Sequence, residues 1–346
     1  MESQALRLSG AFGIENLTFD AVSVAEPGAD EVLVRLCAMS LNYRDLMIAT
    51  GSYNPRVEKP RVLGSDGAGE VVAVGPGVTA YRVGDRVVAG FMPAWIDGPP
   101  TLAGRLSAMG DGTDGVLTTY RVFPAEALVP IPETMSYEEA CTFPCAGVTA
   151  WHALVSTGKV GRTDTVLALG TGGVSIFALQ IAKMRGARVL ITSSSDDKLD
   201  VARRLGADEG INYRTTPEWD KEVRRLTAKA GATHVIEVGG AGTLGLSIKS
   251  TQVGGQISLI GVLAGVAEPV SVVPILMNTL RVQGIHVGSV QMLREVLSAF
   301  AEANMKPVID RIFPFEETRE ALNYLATGAH LGKVVVKLVS GAIEEV

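Results

Sequence analysis

The strongest chemical signal in the sequence is a glycine-rich turn, GTGG, at residues 170–173. It lies between an apolar run at 165–169, which predicts a strand, and an apolar pattern at 174–185, which predicts a helix. Gly170 would allow a sharp turn off the strand, and Gly172 would let the backbone approach a pyrophosphate. The pattern predicts a dinucleotide site, against the alternative of an ordinary strand-to-helix turn.

The start of the predicted helix would complete this anion site. The amide groups of Gly173 and Val174 would point their partial positive charge at the pyrophosphate. The usual G-x-G-x-x-G/A pattern would end at position 175, which is Ser175 here. Because a small residue still permits close packing of helix on strand, we treat this departure as mild.

The end of the next predicted strand, at 187–192, indicates which dinucleotide would bind. NAD-selective sites usually carry Asp or Glu there, whereas this chain has Ser193, Ser194 and Ser195, followed by Lys198. Hydroxyl groups and an ammonium suit a 2′-phosphate, and one charge-assisted contact contributes about 1.5–3 kcal/mol. We therefore expect NADPH. The two aspartates after Ser195 would oppose this if they faced inward, and the serines could also cap the next helix.

The elements that must position these groups follow from the periodicity of the second half. Helices and strands alternate there, which predicts a parallel, doubly wound sheet. The pattern predicts helices at 198–205, 218–230 and 242–250 and strands at 209–213, 233–238, 255–261 and 281–287.

The first 135 residues have a different pattern, of short β-branched segments separated by glycine and proline. It predicts a small β-barrel with one helix at 43–49 and an irregular loop at 91–119. Phe91, Met92 and Trp95 in this loop would either line a substrate cleft or anchor the loop at the surface. The pattern of the C-terminal part predicts two helices, at 291–303 and 315–327, and a strand at 332–339.

Composition excludes several classes of function. The chain has 346 residues, enough for about two domains, and a net charge of −6 with acids and bases interspersed. We expect no nucleic-acid and no membrane partner, since there is no basic patch, no signal peptide and no long apolar run. The three cysteines do not make a disulfide framework, which favours a cytoplasmic location.

A β-rich first part, a dinucleotide fold and a short C-terminal return resemble the medium-chain dehydrogenase/reductase superfamily over nearly the whole chain. The resemblance is carried by Asn42-Tyr43-Arg44-Asp45, Gly64-Ser65-Asp66-Gly67-Ala68-Gly69-Glu70-Val71, Cys145-Ala146-Gly147-Val148-Thr149-Ala150-Trp151, the Gly170 turn and Leu205-Gly206-Ala207-Asp208. It implies an α/β fold class, with a β-rich GroES-like catalytic domain at 1–135 and 289–346. A Rossmann cofactor domain with a doubly wound parallel sheet would occupy 136–288.

The positions that hold zinc in alcohol dehydrogenases of this superfamily differ here. Those enzymes use a Cys, a His followed by Glu, and a second Cys, and the matching residues are Asn42, Ser65 with Asp66, and Cys145. Only Cys145 is a good zinc ligand. The span 88–119, where a four-cysteine structural lobe would lie, contains no cysteine. We therefore expect no metal.

Without zinc, the chain resembles quinone oxidoreductases and zinc-independent enoyl reductases, which use NADPH to reduce a double bond conjugated to a carbonyl. Enoyl reductases of this kind carry an Asn and, eleven residues later, a Tyr in a Gly-x-Tyr context, matched here by Asn42 and Tyr53. The resemblance implies that Asn42 and Tyr53 stabilise or protonate the enolate. A related alcohol dehydrogenase or carbonyl reductase and a non-catalytic NADPH-binding protein remain as alternatives.

The resemblance also implies further cofactor contacts and an assembly. The remaining contacts would come from residues near the nicotinamide, at strand ends and around the adenosine phosphate: Tyr43, Thr149, Tyr213, Gly239, Gly261, Val262, Val287 and Gly288. The strand at 281–287 would form the outer edge of the cofactor sheet. Because exposed edges pair, and the matching edges pair across a two-fold axis in the superfamily, a homodimer is expected.

Overall fold

The computed structural model describes residues 1–338. The last residue of the strand predicted at 332–339, and residues 339–346 of the expected catalytic domain, lie outside this range. The chain divides into two units. The first unit combines Met1–Val148 with the chain from Gly288 onward, and the second unit is Thr149–Val287.

This division differs from the sequence-based one, which placed the boundary at 136. Residues 136–148 cluster with the first unit. The Phe143 ring meets the Phe300 ring edge-to-face there, with 5.0 Å between ring centroids. The helical pattern alone could not show this, because it does not say which unit a helix packs against.

Both units contain strands and α-helices. The strands are β1 (Glu2–Leu8), β2 (Leu17–Ser23), β3 (Glu31–Leu41), β4 (Arg61–Val62), β5 (Asp66–Val74), β6 (Arg86–Ala89), β7 (Tyr120–Pro124), β8 (Leu128–Pro130), β9 (Thr165–Ala168), β10 (Arg188–Ser193), β11 (Glu209–Asn212), β12 (Ala232–Glu237), β13 (Thr251–Leu259), β14 (Arg281–Gly284), β15 (Ile309–Pro314) and β16 (Lys333–Lys337). The α-helices are α1 (Tyr43–Ala49), α2 (Leu102–Leu106), α3 (Tyr137–Ala140), α4 (Val148–Trp151), α5 (Gly173–Met184), α6 (Asp196–Arg204), α7 (Trp219–Leu226), α8 (Ala241–Ser250), α9 (Val273–Met277), α10 (Val290–Glu302) and α11 (Thr318–Ala326).

The first unit is organised around β3, which pairs antiparallel with β5, β7 and β16. These strands belong to a seven-stranded sheet, and β1, β2 and β4 form a second sheet of three strands. Alternating β-branched and leucine side chains of β3 face a buried apolar cluster to which α11 also contributes. The expected β-rich domain is confirmed.

The second unit contains a six-stranded sheet in the order β11-β10-β9-β12-β13-β14. Every neighbouring pair is parallel. The chain order reverses between β9 and β12, the topological switch point at which open α/β sheets bind ligands. Helix α5, buried from Ser175 to Ala182, packs on β9 and β10. The expected Rossmann-type sheet is confirmed.

The loop at 91–119 differs from the sequence-based expectation. Phe91, Met92 and Trp95 are 1–3% exposed, so they anchor the loop inside the first unit and not at its surface. Helix α2 lies within the loop, and the Val290 backbone N–H donates to the Trp95 carbonyl at 2.9 Å. Strand periodicity could not detect a segment that is ordered by three buried side chains.

In residues 1–338 no helix combines the length and the apolar character that crossing a membrane requires.

Candidate active site

The glycine turn lies at the carboxyl end of β9, as predicted. Gly170 adopts a left-handed backbone with φ +73°, a conformation that favours glycine. Gly172 is the N-cap of α5 and provides no side-chain cap, so the first amides of this helix face outward from the turn. A Cβ built on Gly172 meets no heavy atom within 4 Å. The turn therefore offers an open cradle lined by backbone amides, which fits the pyrophosphate of a dinucleotide.

Side chains hold this cradle in place from both sides. The Ser175 hydroxyl donates to the Leu169 carbonyl at 2.6 Å, which ties α5 to the end of β9. The Gly170 backbone N–H donates to the Thr192 hydroxyl at 3.0 Å, which ties the turn to β10. Ser175 thus adds a hydrogen bond that the glycine or alanine of the usual pattern could not make.

The parallel sheet brings most of the other expected cofactor residues to the same edge. Each follows or ends a strand at its carboxyl end: Ser193 and Ser194 for β10, Tyr213 for β11, Gly239 for β12, Gly261 and Val262 for β13, and Val287 for β14. The Tyr213 backbone N–H donates to the Ser193 carbonyl at 3.0 Å, so the two predicted adenosine-phosphate contacts are neighbours. Their contact with a cofactor stays a prediction.

The serines divide their roles, as the capping alternative expects. Ser195 is the N-cap of α6, and its hydroxyl accepts from the Lys198 backbone N–H at 3.4 Å. Lys198 is therefore in the first turn of α6, beside the end of β10, and its side chain is half-buried. Capping and phosphate binding are compatible, because the cap involves the backbone N–H of Lys198 and not its side-chain ammonium.

Glu237, at the end of β12, was not identified from the sequence. Its carboxylate is fully buried and accepts from the Gly239 N–H at 2.8 Å, the Gly240 N–H at 3.0 Å and the Thr243 hydroxyl at 2.6 Å. It also accepts from the Ser247 hydroxyl. Glu237 therefore holds the loop after β12, including Gly239, in one conformation. In the sequence, an acidic residue that ends an apolar strand and is followed closely by Gly239 and Gly240 is the signal that could have identified Glu237.

Thr149 and Val287 are the first and last residues of the second unit, and Gly288, a further expected cofactor residue, follows Val287. Thr149 is 2% exposed. Val287 has φ +57°, and its carbonyl contacts the His152 Nδ1 at 2.6 Å. Burial lowers the pKa of His152. Gly288 begins the C-terminal part of the first unit.

In the first unit three strand ends converge on Asn42. The ladder of β3 with β16 pairs Leu41 with Val334, and the ladder of β3 with β5 pairs Ser40 with Asp66. Asn42 follows β3 directly, so the register places it beside the first residues of β5 and β16. Tyr43, the next residue, is exposed at the start of α1.

The side-chain amide of Asn42 is hydrogen-bonded at both ends. Its Oδ1 accepts from the Lys333 ammonium at 2.6 Å, and its Nδ2 donates to the Ser65 hydroxyl at 3.4 Å. Lys333 is 3% exposed, and its Nζ also donates to the Leu41 carbonyl at 2.7 Å. Its Nζ lies 4.0 Å from Asp66 Oδ2. Lys333 was not identified from the sequence, because a lysine that begins an apolar strand gives no sign of pointing inward.

Asp66 carries the negative charge of this cluster. Its Oδ1 accepts from the Ser65 hydroxyl at 2.9 Å and its Oδ2 from the Cys145 backbone N–H at 3.2 Å. Burial raises the pKa of Asp66 to about 6, and the nearby Lys333 and Asn42 partly oppose that shift. At pH 7 the cluster therefore pairs a buried ammonium with a buried carboxylate.

These residues do not fit a catalytic zinc. Asn42 and Ser65 offer an amide and a hydroxyl, which are weak ligands for zinc, at two of the three positions that would have to supply strong ones. The Lys333 ammonium contacts Asn42 and would repel a dication placed among these side chains. Within residues 1–338 no group of three or more His, Cys, Asp or Glu side chains is clustered as metal ligands would be.

Tyr53 lies beyond α1, next to a buried arginine whose role the sequence did not indicate. The Arg44 guanidinium is 5.1 Å from the centroid of the Tyr53 ring and 4.7 Å from that of the Phe91 ring. Its Nη1 donates to the Met109 carbonyl at 2.9 Å. Tyr53 is 37% exposed as a residue. Arg44 thus links Tyr53 to the interior of the 91–119 loop.

Two family models match the chain. The model described as alcohol dehydrogenase GroES-like domain matches residues 28–133, and the model described as zinc-binding dehydrogenase matches residues 173–302. Among characterised proteins, a zinc-type alcohol dehydrogenase-like protein of Schizosaccharomyces pombe is 43% identical over 96% of this chain and 97% of its own. A 2-haloacrylate reductase of a Burkholderia species is 31% identical over 75% of this chain and 74% of its own.

Solved structures agree with this relationship. A Sinorhizobium meliloti 1021 protein, provisionally named an alcohol dehydrogenase, is 42% identical with a TM-score of 0.90 over 97% of this chain and 99% of its own. An NAD-dependent alcohol dehydrogenase is 36% identical with a TM-score of 0.89 over 97% and 100%. A mycobacterial protein solved with NADPH is 26% identical with a TM-score of 0.82 over 97% and 100%. Together with the GroES-like unit, the parallel sheet and the glycine turn, these matches show that the chain belongs to the alcohol dehydrogenase-like oxidoreductases of the medium-chain dehydrogenase/reductase superfamily, with a fold that binds nicotinamide dinucleotides.

Proposed function

We propose that the protein is a zinc-free, NADPH-dependent reductase of a carbon–carbon double bond conjugated to a carbonyl, as in a quinone, an enone or an enoyl compound. The observation that carries the proposal is the cluster around Asn42. Asn42 and Ser65 stand at positions that match metal ligands of zinc-dependent members of the superfamily, and the buried ammonium of Lys333 contacts Asn42.

The chemistry requires a group that stabilises negative charge on the carbonyl oxygen. A bound nicotinamide would supply hydride to the β carbon, and charge would then build on that oxygen as an enolate. The Asn42 amide N–H would donate to the enolate oxygen. The hydroxyl of Tyr53, a partly exposed residue of the same unit, would donate the proton that completes the reduction.

A second function is favoured by the names of relatives. Several are alcohol dehydrogenases, which supports an alcohol dehydrogenase or carbonyl reductase. Removing a proton from an alcohol requires a metal or a strong base, and the Asn42 cluster supplies donors and a cation instead. The relative named 2-haloacrylate reductase supports reduction of an acrylate-type double bond. We therefore favour reduction of C=C over C=O.

The choice of NADPH rests on this chain's own residues. One similar structure is named NAD-dependent and another was solved with NADPH, so similarity supports either cofactor. Lys198 is a cation in the first turn of α6, and Ser193 and Ser194 are neutral at the end of β10. This arrangement favours a 2′-phosphate over a free ribose hydroxyl. A cytoplasmic location fits NADPH-dependent reduction and is part of the proposal.

The test is a panel of acceptors with chelator-treated enzyme and NADPH. We expect oxidation of NADPH with quinones or enones, and product analysis that shows a saturated C–C bond beside an intact carbonyl. Metal analysis of the active protein should find less than one zinc per chain. Reduction of the carbonyl alone, or activity that chelation abolishes and zinc restores, would contradict the proposal.

The variant Tyr53→Phe tests the proton donor. It should lower kcat about 10- to 100-fold if the hydroxyl delivers the proton, and unchanged turnover would remove Tyr53 from the mechanism.

We further propose that two copies of the chain pair through the edge strand β14. Among the described strands β14 has one neighbour, β13, so its other edge carries unpaired backbone groups. Apolar side chains beside this edge are largely exposed, with Leu276 at 77% and Met277 at 73% on α9 and Val282 at 38% on β14. A second copy, related by a two-fold axis, would cover both features.

Light scattering coupled to size-exclusion chromatography tests this assembly. The wild type should have the mass of a dimer, and Leu276→Asp combined with Val282→Asp should shift it toward the monomer. Leu106→Asp, at an exposed leucine of α2 in the first unit, is the matched control and should stay dimeric. A monomeric wild type at micromolar concentration would contradict the proposal.

A further inference from the structure

Lys333 is a buried cation whose charge is directed at one side chain. It is 3% exposed, and its short hydrogen bonds go to the Leu41 carbonyl at 2.7 Å and to Asn42 Oδ1 at 2.6 Å. The Leu41 carbonyl belongs to the end of β3. The Asn42 amide is therefore the one side chain in residues 1–338 that receives a hydrogen bond from this ammonium.

The carboxylate that balances the charge stands further away. Asp66 Oδ2 is 4.0 Å from Lys333 Nζ, and the carboxylate accepts hydrogen bonds from Ser65 and from the Cys145 backbone. Lys333 and Asp66 thus form a loosely paired couple with no hydrogen bond between them.

This contact fixes the orientation of the Asn42 amide. Because Oδ1 is held by Lys333, Nδ2 must point toward Ser65, which it contacts at 3.4 Å. Nδ2 carries two hydrogens: one contacts the Ser65 hydroxyl at 3.4 Å, and a side-chain hydrogen bond from Asn42 to Asp66 partly offsets the raised pKa of that carboxyl group, so a substrate oxygen would take the place of the long Ser65 contact. Asn42 is only partly buried, so a substrate oxygen can approach the amide.

An ammonium bound to an amide oxygen also changes the amide chemically. The ammonium draws electron density toward the oxygen, which makes the N–H groups stronger donors, and hydrogen bonds in a chain strengthen one another in this way. In a buried site with little water the effect is larger than at a surface. Asn42 would then bind an enolate oxygen more strongly than an unassisted amide.

We propose that Lys333 is a positioning residue that orients and polarises the Asn42 amide, and that its buried ammonium supplies the positive charge that a metal ion supplies in zinc-dependent relatives. The inference rests on the proposed reduction of a conjugated double bond. The inference adds that Lys333 is the source of the positive charge and that turnover depends on Lys333 as well as on Asn42. No covalent step involves Lys333.

The test compares Lys333→Met with Lys337→Met. Both lysines lie on β16, but Lys337 is exposed and pairs with Glu138 at 3.9 Å. With the best conjugated acceptor, Lys333→Met should lower kcat at least about tenfold, with KM and the Kd for NADPH within about twofold. Lys337→Met should match the wild type in all three constants. Lys333→Arg, which keeps a cation, should recover part of kcat.

A double-mutant cycle separates this role from a purely structural one. If Lys333 acts through Asn42, Lys333→Met should cost less than about twofold in kcat when Asn42→Ala is already present. Lys333→Met combined with Asp66→Asn removes both buried charges and should retain the low kcat while restoring thermal stability. Effects that multiply in the cycle would overturn the inference, as would recovery of kcat in the charge-balanced variant.

The outcomes distinguish the inference from the proposed function. A wild type that reduces conjugated acceptors while Lys333→Met keeps its kcat overturns the inference alone. A wild type that reduces none of them overturns both.

Discussion

The two units of this protein form their candidate sites from different groups, the backbone in one unit and side chains in the other. In the second unit the site at the end of β9 consists of backbone amides at an open glycine turn. In the first unit the site around Asn42 consists of buried side chains that satisfy one another. A backbone cradle recognises an anion that many enzymes share, whereas a side-chain cluster sets the chemistry. The first therefore depends on the backbone, and the second depends on which side chains this chain places together.

The comparison predicts that changes in the first unit affect turnover and changes in the second affect cofactor affinity. Asn42→Ala should show the largest effect, a fall in kcat of about 100- to 1,000-fold, since it removes the donor to the enolate oxygen. The Kd for NADPH, measured by fluorescence titration, should change by less than about twofold. Asn323→Ala, at an exposed position of α11, is the control. An Asn42→Ala enzyme that turns over normally would remove the cluster from the mechanism.

Gly172 tests the opposite half of the comparison. Gly172→Val should raise the Kd for both NADPH and NADH at least about tenfold, equal to about 1.4 kcal/mol, because the new side chain would fill the cradle. The position has φ −77° and open space around a Cβ, so the melting temperature should hardly change. Unchanged affinity, measured by titration calorimetry, would place the pyrophosphate elsewhere.

Lys198 sharpens the choice between the two cofactors. Lys198→Ala should raise the Kd for NADPH about tenfold and leave that for NADH nearly unchanged, because only NADPH has a 2′-phosphate. Lys221→Ala, at an exposed lysine of α7 paired with Glu218, serves as the control. Equal losses for both cofactors would contradict a role in binding the 2′-phosphate.

Asp66 gives the smallest effect, and it concerns stability. Burial raises its pKa from 3.8 to about 6 in the folded state, so the folded protein binds this proton more tightly than the unfolded chain does. Its contribution to stability is therefore complete below about pH 4 and is lost as the pH rises through about 6. Between pH 4.5 and 7 the wild type should lose on the order of 1–3 kcal/mol more unfolding free energy than Asp66→Asn.

Urea unfolding at the two pH values checks this prediction. Asp200→Asn removes an exposed aspartate of α6 and should follow the wild type. Parallel pH dependence in wild type and Asp66→Asn would show that Asp66 keeps an ordinary pKa.

Much of the second unit could be predicted because its site depends on local pattern. The strand, the glycine turn and the helix are adjacent in sequence, and each is specified by apolar periodicity or by a backbone requirement. The alternation of helices and strands then implies a parallel sheet, which collects the strand ends at one edge. Glu237 was not identified because its role depends on two loop amides, from Gly239 and Gly240, and on two hydroxyl groups of α8, and the pattern does not specify how these meet.

The sequence by itself determined the superfamily, the dinucleotide turn and the unusual residues at 42, 65, 66 and 145. Only the tertiary structure decided what those residues contact. Lys333 lies 291 positions from Asn42 and reaches it through the register of β3 with β16. A local pattern can show which face of a strand is apolar, but it does not show that β16 pairs with β3, and that pairing places Lys333 beside Asn42. The contact between the Lys333 ammonium and Asn42 could therefore be identified only from the tertiary structure.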